Sequence, residues 1–166
     1  MEAATRLSGS DWHVELQLRP EQALGLRATL DRLALTVVLD HFARTSLRVA
    51  PEIAALVRDN GIYVKLSAPY RLPDPQAAGH ISKTLHELAP GRCVWGSDWP
   101  HTSSTPPGGD PKVPTLFHAV EVERLFDSVF SMLPSADHAR ILCDTPQRLY
   151  GRRPARRDLA PIGVPA

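Results

Sequence analysis

The chain has 166 residues, with 43% hydrophobic and 22% charged side chains and a formal net charge of +1. That length suits one domain with a proper core, and the balance is that of a soluble globular protein. So small a charge leaves no footprint for DNA, RNA or a membrane surface, and no apolar run approaches the ~20 residues of a membrane span.

Met1 to Ser10 lacks the apolar core of a signal peptide and reads as a disordered start. The two cysteines, Cys93 and Cys143, have no metal-ligand spacing. They read as buried reduced thiols of a cytoplasmic protein. The 16 prolines fall mostly between periodic segments, which is punctuation of alternating elements rather than low complexity.

The alternation of Trp12, Val14, Leu16 and Leu18 against His13, Glu15 and Gln17 predicts a first strand. One face would meet helices, the other a polar interior. Pro20 opens a helix expected to run to about Leu33. Leu35 to Phe42 is a nearly continuous apolar run, the pattern of a strand covered on both faces, and it contains Asp40 and His41 with Arg44 just beyond. A helix follows over about Pro51 to Asp59, closed by Asn60-Gly61. Ile62 to Ser67 is the third strand and exits through Pro69-Tyr70-Arg71. A helix over roughly Asp74 to Ala89 precedes the fourth strand, Cys93-Val94-Trp95.

That strand ends abruptly in Gly96-Ser97-Asp98-Trp99-Pro100-His101. A carboxylate at the C-terminal end of a buried strand is where α/β proteins place chemistry. Residues 102–116 form a loop rich in Pro, Gly, Ser and Thr. Helices are expected over Val120 to Leu133, from a Ser135 cap to Cys143, and from Thr145-Pro146 to Gly151. The basic, Pro-rich tail from 152 to 166 reads as disordered.

Four βα units of about 25 to 30 residues each are a parallel-sheet signature. No G-x-G-x-x-G or Walker loop follows a strand, which disfavours a nucleotide-binding domain. Polar residues at each strand's end point to part of a (β/α)8 TIM barrel. A full barrel needs about 250 residues, so this chain holds only half.

In such a barrel the strand ends converge on one mouth. They would bring together His13 or Glu15, then Asp40, His41 and Arg44, then Tyr70 and Arg71, then Ser97, Asp98 and His101, a hydrolytic set for an anionic substrate. Each has a bland alternative. Asp98 or Asp40 can cap a turn, His41 can be a satisfied core histidine, and Arg44 and Arg71 can be solvated. Four polar exits in phase with four strands favour a shared site.

The strings Leu39-Asp40-His41-Phe42-Ala43-Arg44, Tyr63-Val64-Lys65-Leu66-Ser67 and Val94-Trp95-Gly96-Ser97-Asp98-Trp99-Pro100-His101 resemble the second half of the amidohydrolase-2 family. Ile141 to Gly151 resembles its closing helix, with Thr145 where the family more often has Asn. The resemblance spans about residues 11–151 and implies about the last four βα units of the barrel plus a C-terminal helix. The nearest members are TIM-barrel lactonases acting on 2-pyrone-4,6-dicarboxylate or sugar lactones.

The resemblance implies catalytic roles for two residues. Asp98 would be the base that activates water, and His41 would polarise the carbonyl or join a metal site. Arg44 and Arg71 would clamp substrate carboxylates, with Tyr70 and His101 as further contacts. The family's early H-x-H pair has no counterpart, so neither a metal ligand nor a cofactor is assigned. Zinc serves decarboxylase relatives.

The expected activity is opening of a small carboxylated lactone by a truncated member. The alternatives are a non-catalytic half-barrel or pseudoenzyme, and a metal-dependent decarboxylase. The expected macromolecular partner is a second copy or a complementary half-barrel.

Overall fold

A computed structural model of the protein describes residues 6–7, 10, 12–103, 108–110 and 112–151. The expected disordered tail lies outside the described residues, as do positions 1–5 and 8–9 of the expected disordered start.

Four strands form one parallel sheet in sequential order: β1 (His13–Leu16), β2 (Thr36–Leu39), β3 (Tyr63–Ser67) and β4 (Cys93–Gly96). The crossovers are helical. They comprise α1 (Pro20–Gly25) with α2 (Arg27–Leu30), then α3 (Ala50–Asp59), then α4 (Ala78–Leu88). After β4 come α5 (Val122–Phe130), α6 (Ser135–Ala139) and α7 (Thr145–Tyr150). Among the described residues, no helix is long and apolar enough to cross a membrane.

Strand alternation sorts the sheet into two chemically different faces. Leu16, Val37, Leu39, Val64, Leu66, Cys93 and Trp95 belong to the apolar core. Ile53, Leu56 and Val57 of α3 and Ile81 and Leu85 of α4 pack into the same core. Removing any of these sheet-facing leucines would cost about 2–5 kcal/mol. By register the inner face carries His13 and Glu15, then Thr36 and Val38 with Asp40 beyond, then Tyr63, Lys65 and Ser67, then Val94 and Gly96 with Asp98 beyond, so its polar groups stand among buried valines. The polar interior expected from His13 and Glu15 is therefore present.

Several boundaries differ from expectation for identifiable reasons. The single helix expected over 20–33 breaks at Gly25, a poor helix former, into α1 and α2. Asp74 is not the first helical residue. Its carboxylate accepts from Gln76 N–H at 3.0 Å and caps a 3-10 turn, Pro75–Ala77, ahead of α4. Pro134, not Ser135, stands at the N-cap of α6. A single π turn, Arg140–Asp144, joins α6 to α7, where Pro146 has no N–H to offer the carbonyl four residues back. Both cysteines are free thiols, but only Cys93 is buried, whereas Cys143 is exposed on that π turn.

The closing helix runs across the sheet from its last strand to its first. Arg148 Nη1 donates to the Gly91 carbonyl, just before β4, at 3.5 Å. The Tyr150 ring meets His13 edge-on at 5.2 Å, and its hydroxyl donates to Glu15 at 3.4 Å.

Candidate active site

Four parallel strands in sequential order end at one edge of the sheet, and the candidate residues stand in the turns just beyond. Those turns are built from backbone that L-residues avoid. His41, Phe42, Ala43 and Arg44 have φ of 51°, 56°, 51° and 49°. Left-handed geometry costs roughly 1–2 kcal/mol per residue, so a run of four persists only where its surroundings over-determine it. Fully buried Phe42 and Ala43 anchor it to the core. Ala43 N–H donates to the Asp40 carbonyl at 2.9 Å, and Thr45 N–H to the Phe42 carbonyl at 3.1 Å. Ala68 (φ 49°), Asp98 (φ 63°) and His101 (φ 63°) repeat the conformation at the next strand exits. The Trp99–Pro100 peptide between the last two is cis.

Asp98 is the hub. Its Oδ2 accepts from the Tyr70 hydroxyl at 2.5 Å and from Arg71 Nε at 3.1 Å. Its Oδ1 lies 3.7 Å from His41 Nε2. His41 is only 3% exposed. Its Nδ1 is hydrogen-bonded with Ser67 Oγ at 2.9 Å, while its Nε2 has no hydrogen-bond partner among the described residues. Arg71 Nη2 donates to the Thr102 carbonyl at 2.7 Å, and its guanidinium carbon lies 5.4 Å from the Tyr70 ring centre.

The electrostatics follow from these contacts. Burial lowers the His41 pKa from its ordinary 6.5, with Arg71 and Arg44 acting the same way against the pull of Asp40 and Asp98. Burial alone would raise the Asp98 carboxyl. The Tyr70 hydrogen bond, His41 and Arg71 outweigh it and hold Asp98 below its ordinary 3.8. Burial and the Asp98 carboxylate push the Tyr70 phenol up to about 12. At neutral pH the site presents an ionised carboxylate, a neutral imidazole and a protonated phenol.

The structure brings Asp98, His41, Tyr70 and Arg71 into one constellation. His101 is buried beside it, its ring 6.4 Å from Tyr70, and its N–H closes the turn on the Asp98 carbonyl at 2.7 Å. The Arg44 side chain makes no hydrogen bond or ion pair among the described residues, its Nε is buried without a partner, and it acts on His41 through its charge alone. Three residues escaped the sequence reading. Ser67 fixes His41, His118 packs on Tyr70 at 5.0 Å, and Lys65 sits between Glu15 and Asp40 at 2.6 and 3.0 Å. A charged residue inside an otherwise apolar strand was a usable signal for Lys65. Strand alternation then carries it to Ser67, two positions on. His118 lies in a loop with no periodicity to read.

A zinc site takes three or more protein ligands. Among the described residues, no group of three or more His, Cys, Asp and Glu side chains could hold a metal ion. His41 and Asp98 supply two donors, so the residues present do not fit such an ion.

The chain matches the family described as Amidohydrolase over residues 1–152. It belongs to that family. The resemblance read from D-H-x-x-R and G-S-D-W-P-H is thus borne out. The amidohydrolase chain is 30% identical over 158 residues to the 4-sulfomuconolactone hydrolase of Hydrogenophaga intermedia, covering 86% of this chain and 48% of that protein. It is 26% identical over 170 residues to a 2-pyrone-4,6-dicarboxylate hydrolase of Comamonas testosteroni, covering 90% and 52%. A solved structure of a probable 2-pyrone-4,6-dicarboxylic acid hydrolase from Acinetobacter baumannii superposes with a TM-score of 0.63 at 23% identity, covering 86% and 53%, a likeness of fold alone. The amidohydrolase chain thus spans about half the length of the relatives it matches. Its fold is a partial (β/α)8 barrel, as the regular βα units implied.

Proposed function

We propose that this site hydrolyses a small carboxylated lactone by water activated at Asp98. The observation that carries the reading is the facing pair Asp98 Oδ1 and His41 Nε2, 3.7 Å apart. Asp98 takes a proton from water, and the hydroxide adds to the lactone carbonyl. His41, neutral and tied back through Ser67, presents Nε2 to the oxyanion that forms. Collapse breaks the bond to the ring oxygen, and Asp98 returns its proton there, leaving a hydroxy acid. Arg44, which has no carboxylate partner among the described residues, is free to take a substrate carboxylate. Arg71 keeps Nη1 for a second one while Nε orients Asp98. Tyr70 and His101 wall the same corner. The relatives' names, a sulfomuconolactone hydrolase and a pyrone-dicarboxylate hydrolase, support a ring ester bearing acidic groups.

Asp98→Asn decides this. With 2-pyrone-4,6-dicarboxylate as probe, turnover should fall at least a thousandfold while the dissociation constant stays within about threefold. An Asp98→Asn variant that turns over normally removes Asp98 from the role of base.

We further infer that the functional unit contains more than one such sheet. Among the described residues β1 and β4 are edge strands without a second neighbour, and unpaired edges template association. Sedimentation of the 166-residue chain should give a dimer or larger species at micromolar concentration. A monomer with one cooperative melt counts against association. We read the compartment as the cytoplasm, where two free thiols persist.

A further inference from the structure

We propose that Lys65 is a positioning residue for His41, acting through Asp40, and that position 96 is glycine to leave room for it. The proposal rests on the hydrolytic reading of His41 given above.

Lys65 stands in the middle of β3 between buried Val64 and Leu66 and points to the inner face. Its ammonium lies 2.6 Å from Glu15 Oε2 on β1 and 3.0 Å from Asp40 Oδ1 at the end of β2. One cation from the third strand thus ties together the ends of the first two. Its side chain is 19% exposed and that of Asp40 9%, so the pair is shielded from the screening that weakens surface ion pairs.

The Asp40 carboxylate makes no side-chain cap on the turn it precedes. It is directed at Lys65 instead, which sets aside the capping reading of Asp40. The left-handed run His41–Arg44 begins at the next residue. The core fixes that run through Phe42, and Lys65 fixes its entry through Asp40. On the same face of β3, two residues on, Ser67 holds His41 Nδ1. Strand β3 therefore grips His41 twice, directly and through the backbone that carries it. Gly96 pairs with Ser67 in the neighbouring strand. A Cβ at position 96 would stand 3.2 Å from Lys65 Cδ, 3.5 Å from its Cγ and 3.6 Å from Ser67 Cβ. A side chain there would press on Lys65 at its Cδ and only touch Ser67.

The test uses the full chain with 15N-labelled histidine. The His41 imidazole signals are assigned by their loss in His41→Gln. In the wild type they should show one fixed tautomer. In Lys65→Met they should move toward the averaged shifts of a mobile imidazole, and Lys65→Arg should restore them. On 2-pyrone-4,6-dicarboxylate, Lys65→Met should lower kcat about a hundredfold with KM within about twofold, the effect of a misplaced rather than a missing group. A Lys65→Met protein that keeps the wild-type His41 shifts overturns the proposal, whatever its melting temperature. Should Lys65→Met fail to fold, Asp40→Asn and Gly96→Ala carry the same expectation, and unchanged His41 shifts in both overturn it equally. Absence of turnover in the wild type would sink the hydrolytic reading alone, because the imidazole shifts decide the Lys65 grip without any substrate.

Discussion

At the scale of single residues, the contacts at the mouth set the protonation of Asp98, His41 and Tyr70. Arg71 and Tyr70 both bind Oδ2 of Asp98 and leave Oδ1 toward His41. The carboxylate is therefore held ionised at the cost of basicity, since a base is strongest in catalysis when its pKa lies near the working pH. An acid limb of kcat/KM set by Asp98 should fall below pH 3.8, and a limb set by His41 should fall below 6.5, because burial lowers its pKa. Tyr70→Phe removes the strongest of the groups that hold Asp98 down, so its acid limb should move upward, with Arg71→Met moving it the same way. Limbs that coincide in all three proteins would show that Asp98 is not the titrating group. Asp98, Arg71 and Tyr70 were legible as candidates because each follows a strand whose apolar run ends abruptly. That Arg71 grips Asp98, while Arg44 engages no carboxylate among the described residues, was not legible. Both are arginines in a strand exit, and only the path of the turn separates them.

At the scale of elements, all four strands could be read from apolar runs and alternation, but the special turns could not. Nothing in His41-Phe42-Ala43-Arg44 announces a left-handed run, since none is Gly, Asn or Asp. Tertiary packing of Phe42 imposes it. Gly61 is the opposite case, a residue chosen for its backbone. It follows α3 with φ of 64°, which a Cβ resists. Gly61→Ala should therefore lower the unfolding free energy by about 1 kcal/mol. Gly25 closes α1 without a positive φ, and a Cβ added there would meet nothing within 4 Å. Gly25→Ala should raise stability by about 0.5–1 kcal/mol. Opposite shifts in the urea midpoint, with unchanged m-values, are the expected outcome. Equal signs would mean that the two helix ends do not differ in backbone geometry.

At the scale of the whole molecule, the sheet separates an apolar outer face from an ionised inner one, and pH acts almost entirely on the inner face. Different groups set the acid side and the alkaline side. The folded His41 pKa lies below 6.5, so the unfolded chain binds its proton first. Stability is complete above 6.5 and declines as pH falls beneath it. Asp98 adds a second loss as pH falls from 3.8 through its lower folded value. On the alkaline side the folded pKa values are raised. Burial pushes Cys93 from 9.0 to about 12, burial and Asp98 push Tyr70 from 10.0 to about 12, and Lys65 rises above 10.5, because Glu15 and Asp40 outweigh its burial. Their contributions are complete below the unfolded values and vanish as pH rises through the folded ones. Urea midpoints should therefore trace a plateau between about 6.5 and 9 with two falling flanks. Cys93 belongs to the outer face and offers a clean dissection. Cys93→Ala should flatten the alkaline flank where it begins, near 9, and leave the acid flank untouched. Asp98→Asn should flatten the lowest part of the acid flank and also the alkaline flank beyond 10.0, because it removes the carboxylate that helps hold the Tyr70 phenol up. If Cys93→Ala altered the acid flank as much as the alkaline one, the two faces of the sheet would not titrate independently.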